Sequence, residues 1–263
     1  MKILVPVKEV STLTDDFQVS GTAVPDQYVE YDLNEWDDYA IEEAVQIKEA
    51  SDDDVEVVTV TIGPDRAEET IRMALAKEAD RAVRVWDDAI EGQALLDVAA
   101  KTRILEAVVE EEAPDLVLSG VQAGDDAFAA TGVALADAID FQHAAVVTSL
   151  DLDEESADVR RELEGGVEEL ATVDLPAVMT IQTGINEPRY ASLRGIRQAQ
   201  QKEIAHYSLD DLGLDASVAD SALALTDMYE PETEADTEYF EGGAGEQADQ
   251  LAETLRDLGV GEA

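Results

Sequence analysis

The sequence predicts an α/β fold: a doubly wound, mostly parallel sheet with a β-hairpin excursion and an extended C-terminal arm. Three observations predict it. Short apolar runs alternate with amphipathic stretches from residue 2 to about residue 140, the pattern of strands joined by crossover helices. Gly165-Gly166 then separates two alternating segments, which reads as a hairpin. Beyond Tyr207 the apolar residues thin out and Arg256 is the one basic residue.

The elements follow in order. "KILVPV" (2–7) is short and apolar, a buried first strand. "LNEWDDYAIEEAVQIKEA" reads as a helix. Asn34 suits its N-cap, Asp37 and Asp38 sit in the positive first turn, and Ala40, Ile41, Ala44 and Val45 recur at helical spacing. "VEVVTVTI" (55–62) is the second strand, turned by Gly63-Pro64. A helix from about Asp65 carries Ile71, Ala74 and Leu75 inward. "RAVRVW" (81–86) is a third strand. A helix from about Gln93 to Glu111 has Leu95, Val98, Leu105 and Val108 as its stripe, and Pro114 stops it. "DLVLSG" (115–120) is a fourth strand. "HAAVVTSLDL" and "DVRRELEGGVEELATV" are strand-like, and "LPAVMTIQ" (175–182) returns to the main sheet. A last amphipathic helix presents Leu251, Leu255 and Leu258.

Composition narrows the function. The chain has 263 residues, 62 acidic and 17 basic, for a net charge of -45. Its apolar periodicity argues against acidic disorder. Such a charge repels itself at ordinary ionic strength, and molar salt shortens the Debye length to ~3 Å. The charge therefore reads as the mark of a salt-accumulating halophile. No basic stripe with interleaved aromatics is present, so nucleic-acid binding is disfavoured. No apolar run reaches the ~18 residues of a membrane span, and "MKILVPVKEV" is no secretory leader; a cytoplasmic protein is expected. Cysteine is absent and the two histidines, His143 and His206, fall in no motif. Thiol chemistry and Cys-ligated metal sites are excluded, and any redox work needs a borrowed cofactor.

In doubly wound sheets ligands bind beyond the carboxyl ends of the strands. Three loops lie there: after Val7, after Ile62 and after Gly120. The third is the richest. In "SGVQAGDDAFAATGVALAD" a helix is expected to start near Thr131. Free N–H groups at a helix start suit a phosphate. Gly132 lets an anion approach the backbone, and Thr131 adds a hydroxyl donor. Asp125 or Asp126 can hold a ribose hydroxyl, or bond backbone N–H groups and shape the loop. The stretch is neither a Walker A nor a G-x-G-x-x-G. The plain alternative is an ordinary loop with capping Asp and Thr.

"NEPRYASLRGIRQAQQK" (186–202) is a neutral-to-basic island in this acidic chain. From Pro188 to Lys202 it lacks Asp and Glu, while Arg189, Arg194, Arg197 and Lys202 are cationic. One reading is a connector helix, capped by Ser192, whose arginines pair with nearby carboxylates. The other is a docking surface, with Arg189 and Tyr190 reaching outward beside an exposed Leu193.

That stretch, following "LPAVMT", resembles the recognition loop of the electron transfer flavoprotein β subunit. The likeness extends to "ILVPVKEV", "LNEWDDYAIEEAVQIKE", "GPDRAEETIRMALAKEADRAVRV" and "LVLSGVQAGDD…TGVALAD". It runs in order from residue 1 to about 210; the arm agrees in length and placement only. The resemblance implies a Rossmann-like sheet of the adenine-nucleotide-binding type over residues 1–207, with a recognition loop at 181–203. It implies a heterodimer, with an acidic arm (208–263) packing on the α subunit. FAD would lie mainly on the α subunit. Electrons would come from acyl-CoA or related dehydrogenases and pass to a quinone oxidoreductase. The β subunit would hold AMP, or a second FAD in bifurcating relatives.

Carried over by position, the nucleotide pocket comprises Pro6, Asn34, Glu35, Trp36, Asp37, Ile62, Asp125, Asp126, Ala127, Thr131, Gly132, Val133, Ala134 and Ala136. Docking falls to Asn186, Glu187, Pro188, Arg189, Tyr190, Leu193, Arg194 and Arg197, with Leu193 as the inserted knob. No catalytic group and no metal is implied. The sequence departs from the family pattern in three places. Phe128, Ala129 and Ala130 replace polar residues before Thr131, which leaves backbone N–H groups to do more. Gly184 stands where relatives often have Arg, and a Lys-rich run is thinned to "RQAQQK". Two other classes share the fold: ATP-hydrolysing or adenylate-forming enzymes, and stand-alone nucleotide modules of the universal-stress type. The first lacks its phosphate-gripping lysine motif here, and the second leaves the island and arm unexplained.

Overall fold

The computed structural model describes residues 1–231 and 237–260. The chain divides into two compact units, Met1–Met228 and Tyr229–Ala263.

In the first unit the strands are β1 (Lys2–Pro6), β2 (Glu9–Leu13), β3 (Val29–Leu33), β4 (Glu56–Ile62), β5 (Arg81–Val85), β6 (Leu116–Gly120), β7 (Gln142–Leu152), β8 (Ser156–Leu163), β9 (Val167–Asp174), β10 (Ala177–Ile181) and β11 (Ile204–Tyr207). The helices are α1 (Glu35–Ala50), α2 (Glu68–Ala76), α3 (Asp88–Glu91), α4 (Val98–Glu112), α5 (Thr131–Ala138) and α6 (Leu193–Ala199). Nine strands form one sheet in the order β11-β5-β4-β1-β6-β10-β7-β8-β9. All pairs from β11 to β7 are parallel, and β7-β8-β9 are antiparallel. The chain runs outward from β1 through β4 to β5, then restarts on the other side of β1 with β6. The boundary between β1 and β6 is thus the topological switch point.

Alternation along β1 divides the core. Ile3 and Val5 face a layer that contains Ile41, Val45, Ile71 and Leu75 from α1 and α2. Leu4 faces the opposite layer, with Ile104 and Val108 of α4 and Leu135 of α5. All are fully or almost fully buried, each such aliphatic side chain contributing about 1.5–3 kcal/mol. Because both faces are covered, the central strands are mostly apolar, with Thr59, Thr61, Ser119 and Thr180 as buried polar exceptions.

The hairpin excursion is β8 and β9. Its turn needs Gly165 and Gly166, at φ 77° and 73°, where a side chain is strained. Several expectations are corrected. The antiparallel pair β2-β3 was not foreseen, nor was β11 on the sheet edge. The third long helix, α4, begins at Val98, not Gln93, because Asp97 caps it by accepting from Ala100 N at 2.9 Å. The arm does not begin at residue 208. Leu209 and Ala219 are buried in the core of the first unit, and Arg103 donates to the Val218 carbonyl at 2.8 Å.

In the second unit α7 (Ala244–Asp257) is amphipathic, with Leu251, Leu255 and the following Leu258 exposed. Residues 232–236 and 261–263 of the expected arm lie outside the described residues.

Candidate functional site

A cleft of about 480 Å³ opens at the carboxyl ends of β1, β4 and β6. It is lined by Pro6, Val7, Ile62, Gly63, Ser119 and Gly120, the residues that end or directly follow those strands. Two side chains on the first turns of α1 tie the loops together. Asn34 donates from Nδ2 to Gln122 O at 2.8 Å and accepts from Gly124 N at 3.2 Å. It occupies the N-cap position but makes no capping bond; its amide braces the loop instead. Asp37 accepts from Lys8 N at 2.8 Å and Gly120 N at 3.2 Å. Its carboxylate therefore spans the switch point. Burial pushes it up to about 7, against the lowering effect of those N–H groups.

The loop after β6 ends in α5. Ala127 and Ala129 stand at φ 49° and 51°, in the left-handed region. Backbone that alternates in this way turns successive N–H groups to one side, a concavity that suits anions. The N–H groups of Ala129 and Ala130 have no acceptor among the described residues, and those of Thr131, Gly132 and Val133 are the free donors of the helix's first turn. Four of these five residues, Ala129, Ala130, Thr131 and Gly132, line the cleft.

Of the pocket residues carried over from the family, Pro6, Asn34, Asp37, Ile62, Asp125, Asp126, Thr131 and Gly132 line this cleft. Glu35, Trp36, Ala127, Val133, Ala134 and Ala136 do not line it. Glu35 is exposed, Trp36 donates from Nε1 to Gln182 Oε1 at 3.2 Å, and Ala136 is core. Gly132 is small for a reason other than anion approach. A Cβ there would meet Thr180 Cγ2 at 2.7 Å and the Ser119 hydroxyl, so glycine lets α5 settle on β6 and β10. Asp125 and Asp126 offer no free carboxylate to a ribose. Lys8 pairs with both, at 2.9 Å from Asp126, and Lys101 pairs with Asp126. These cations hold Asp126 below the usual carboxylate range, against the raising effect of burial.

Lys8 and Lys101 are the site residues that sequence reasoning missed. A signal existed. Only six lysines remain in the chain, and each is engaged: Lys2 with Glu112, Lys48 with Asp80, Lys77 with Asp38, and Lys202 with the Leu75 and Ala79 carbonyls.

The island divides in two. Arg189 does not reach outward. It donates from Nε to Glu42 at 2.7 Å and from both terminal nitrogens to Glu49 at 2.7 and 2.9 Å, clamping the loop onto α1. Asn186 donates to Tyr39 O and Glu43 of the same helix. Ser192 does cap α6, accepting from Gly195 N at 2.9 Å. On the outside stand Tyr190 (97% exposed) and Leu193 (77%). Arg194 and Arg197 are exposed too, with no ion pair or hydrogen bond among the described residues. Glu187 is exposed and Pro188 half-buried.

A doubly wound, mostly parallel sheet with a cleft at its switch point defines a protein of the α/β class. Comparison with known proteins narrows the class. Residues 22–212 match the electron transfer flavoprotein domain family. The chain is 49% identical to the electron transfer flavoprotein subunit beta of Methylophilus methylotrophus, over 98% of this chain and 99% of that one. It is 33% identical to the subunit beta of Bacillus subtilis, over 97% and 98% of the two chains, and 37% identical to that of Homo sapiens, over 86% and 89%. The chain belongs to the electron transfer flavoprotein family, as a β subunit. Its role is electron transfer in a flavoprotein, and a β subunit implies an α partner. Among the described residues no helix is long and apolar enough to cross a membrane, and no acidic or histidine cluster could hold a metal.

Proposed function

We propose that this chain is the nucleotide-holding and donor-docking half of an electron transfer flavoprotein heterodimer. AMP occupies the cleft, with its phosphate on the N–H groups of residues 129–132. The observation that carries this reading is the run of free N–H groups on residues 129–132 along the wall of a cleft sized for a nucleotide. FAD lies mainly on the α subunit and supplies the electron-carrying chemistry when bound. This chain completes that interface, and α7, with its exposed leucine stripe, packs on the α subunit. Tyr190 and Leu193 enter an apolar recess on an acyl-CoA or related dehydrogenase, and Arg194 and Arg197 face its rim. Electrons continue to a quinone oxidoreductase. The protein works in the cytoplasm of a salt-accumulating organism, as its net charge of -45 suggests.

The test is chemical. The purified heterodimer is denatured by heat and the released nucleotides are separated by chromatography. One AMP and one FAD per heterodimer are expected. Two FAD and no AMP would replace this reading with the bifurcating type.

A further inference from the structure

The loop from Gln122 to Ala130 carries two alanines in the left-handed region, Ala127 and Ala129. Each costs about 1–2 kcal/mol relative to an ordinary conformation. Contacts elsewhere must hold such a loop. Asp126 supplies them from both of its oxygens. Oδ2 takes the ammonium groups of Lys8, from the end of β1, and Lys101, from α4. Oδ1 accepts from Phe128 N at 3.2 Å, within the bend itself. Asp125 takes a further bond from Lys8. The Lys101 ammonium also lies 5.1 Å from the centroid of the Phe128 ring. Both lysines line the cleft, yet the loop's own carboxylates already answer their charge.

We propose that Lys101, Asp126 and Lys8 form a clasp that imposes the bend and so builds the N–H cradle. They are positioning residues for the phosphate, not its ligands. The proposal rests on the reading of the cleft as a nucleotide site. The obvious rival is that the two lysines grip the phosphate directly and Asp126 merely neutralises them. The two schemes give opposite signs on removal of the Asp126 charge. A clasp loses its centre and the cradle relaxes. Phosphate-gripping lysines would instead be released, and repulsion of the phosphate removed.

The experiment is isothermal titration of the full-length chain in its heterodimer, freed of nucleotide, with AMP and separately with adenosine. Adenosine reports the cleft without the phosphate. For Asp126→Asn and Lys101→Met the AMP Kd should rise about tenfold, while the adenosine Kd moves less than about twofold. Lys101→Arg should restore AMP binding, since it keeps the cation. Asp126→Asn decides the matter alone where Lys101→Met fails to fold. Tighter AMP binding by Asp126→Asn would overturn the clasp in favour of direct lysine contact. Unchanged AMP binding, or equal weakening of AMP and adenosine, would overturn it as well. Wild type that binds neither compound would sink the nucleotide reading itself, and the clasp with it.

Discussion

Arg189 donates from its Nε to Glu42 Oε2 at 2.7 Å, and so belongs to the loop's foundation rather than its outer face. Glu42 is buried and Glu49 mostly exposed, so the fork is anchored at one end and solvated at the other. The Glu42 carboxyl is held below the usual carboxylate range by Arg189 despite its burial. Removing the arginine leaves that charge short of partners. Arg189→Met should destabilise the chain by about 1–3 kcal/mol, read by denaturant unfolding in molar salt. Amide exchange should quicken in residues 186–192. Arg189→Lys should recover only part of the loss, because an ammonium cannot fork onto two carboxylates.

Leu193 behaves oppositely, since it touches little of its own chain. Leu193→Ala should leave stability within about 0.5 kcal/mol. On the proposed docking role, it should slow electron acceptance from a donor dehydrogenase about tenfold, as loss of an interface anchor does, with flavin content unchanged. Stopped-flow reduction beside a flavin absorbance spectrum checks both. Equal loss of rate and flavin would place Leu193 in the subunit's own architecture.

What was legible in the sequence follows from the range of the interactions. β1, α1, β4, β6 and the start of α5 at Thr131 were readable because apolar period and turn chemistry are local. Ser192 was readable as a cap for the same reason. β2 ("EVSTL") and β3 ("VEYDL") interleave polar and apolar residues and are paired only with each other, so neither shows an apolar run. β11 has four residues and completes the sheet edge through β5, a tertiary fact. The clasp was illegible in the same way. Lys8 meets Asp126 across 118 positions and Lys101 meets it across 25, and no motif spacing encodes either meeting. The two alanines at positive φ were hidden altogether, since alanine signals no left-handed bend. The acid-free island misled in part. Its composition pointed outward, but Arg189 and Lys202 turn inward and only Arg194 and Arg197 stay free among the described residues.

Gly132 separates packing from the proposed phosphate contact. A methyl group there would press on Thr180 Cγ2 and the Ser119 hydroxyl, while the Gly132 N–H would remain available. Gly132→Ala should therefore destabilise the fold by about 1–3 kcal/mol. Adding Ser119→Gly should relieve part of that cost by removing one of the two obstacles. Thermal unfolding of the single and double variants tests this; an additive, larger loss in the double variant would argue against the packing role.

Asp37 predicts a pH dependence whose sign is unusual for a carboxylate. Burial raises it from 3.8 to about 7 in the folded chain. Between those values the folded state holds a proton that the unfolded state has released. Stability is then fully present below about pH 4 and is lost as pH rises towards about 7. The difference integrates to about 4 kcal/mol at most. Glu9, Asp38 and Glu43 are also raised by burial and push the same way. Glu42 and Glu112 are lowered and contribute above pH 4.5 instead. Asp37→Asn isolates the first effect. Unfolding free energies are measured from pH 4.5 to 8 in molar salt, where self-repulsion of the acidic surface is screened. Wild type should lose stability relative to Asp37→Asn as pH rises through that window. Parallel curves for the two proteins would mean that Asp37 is ionised throughout, held by the N–H groups of Lys8 and Gly120.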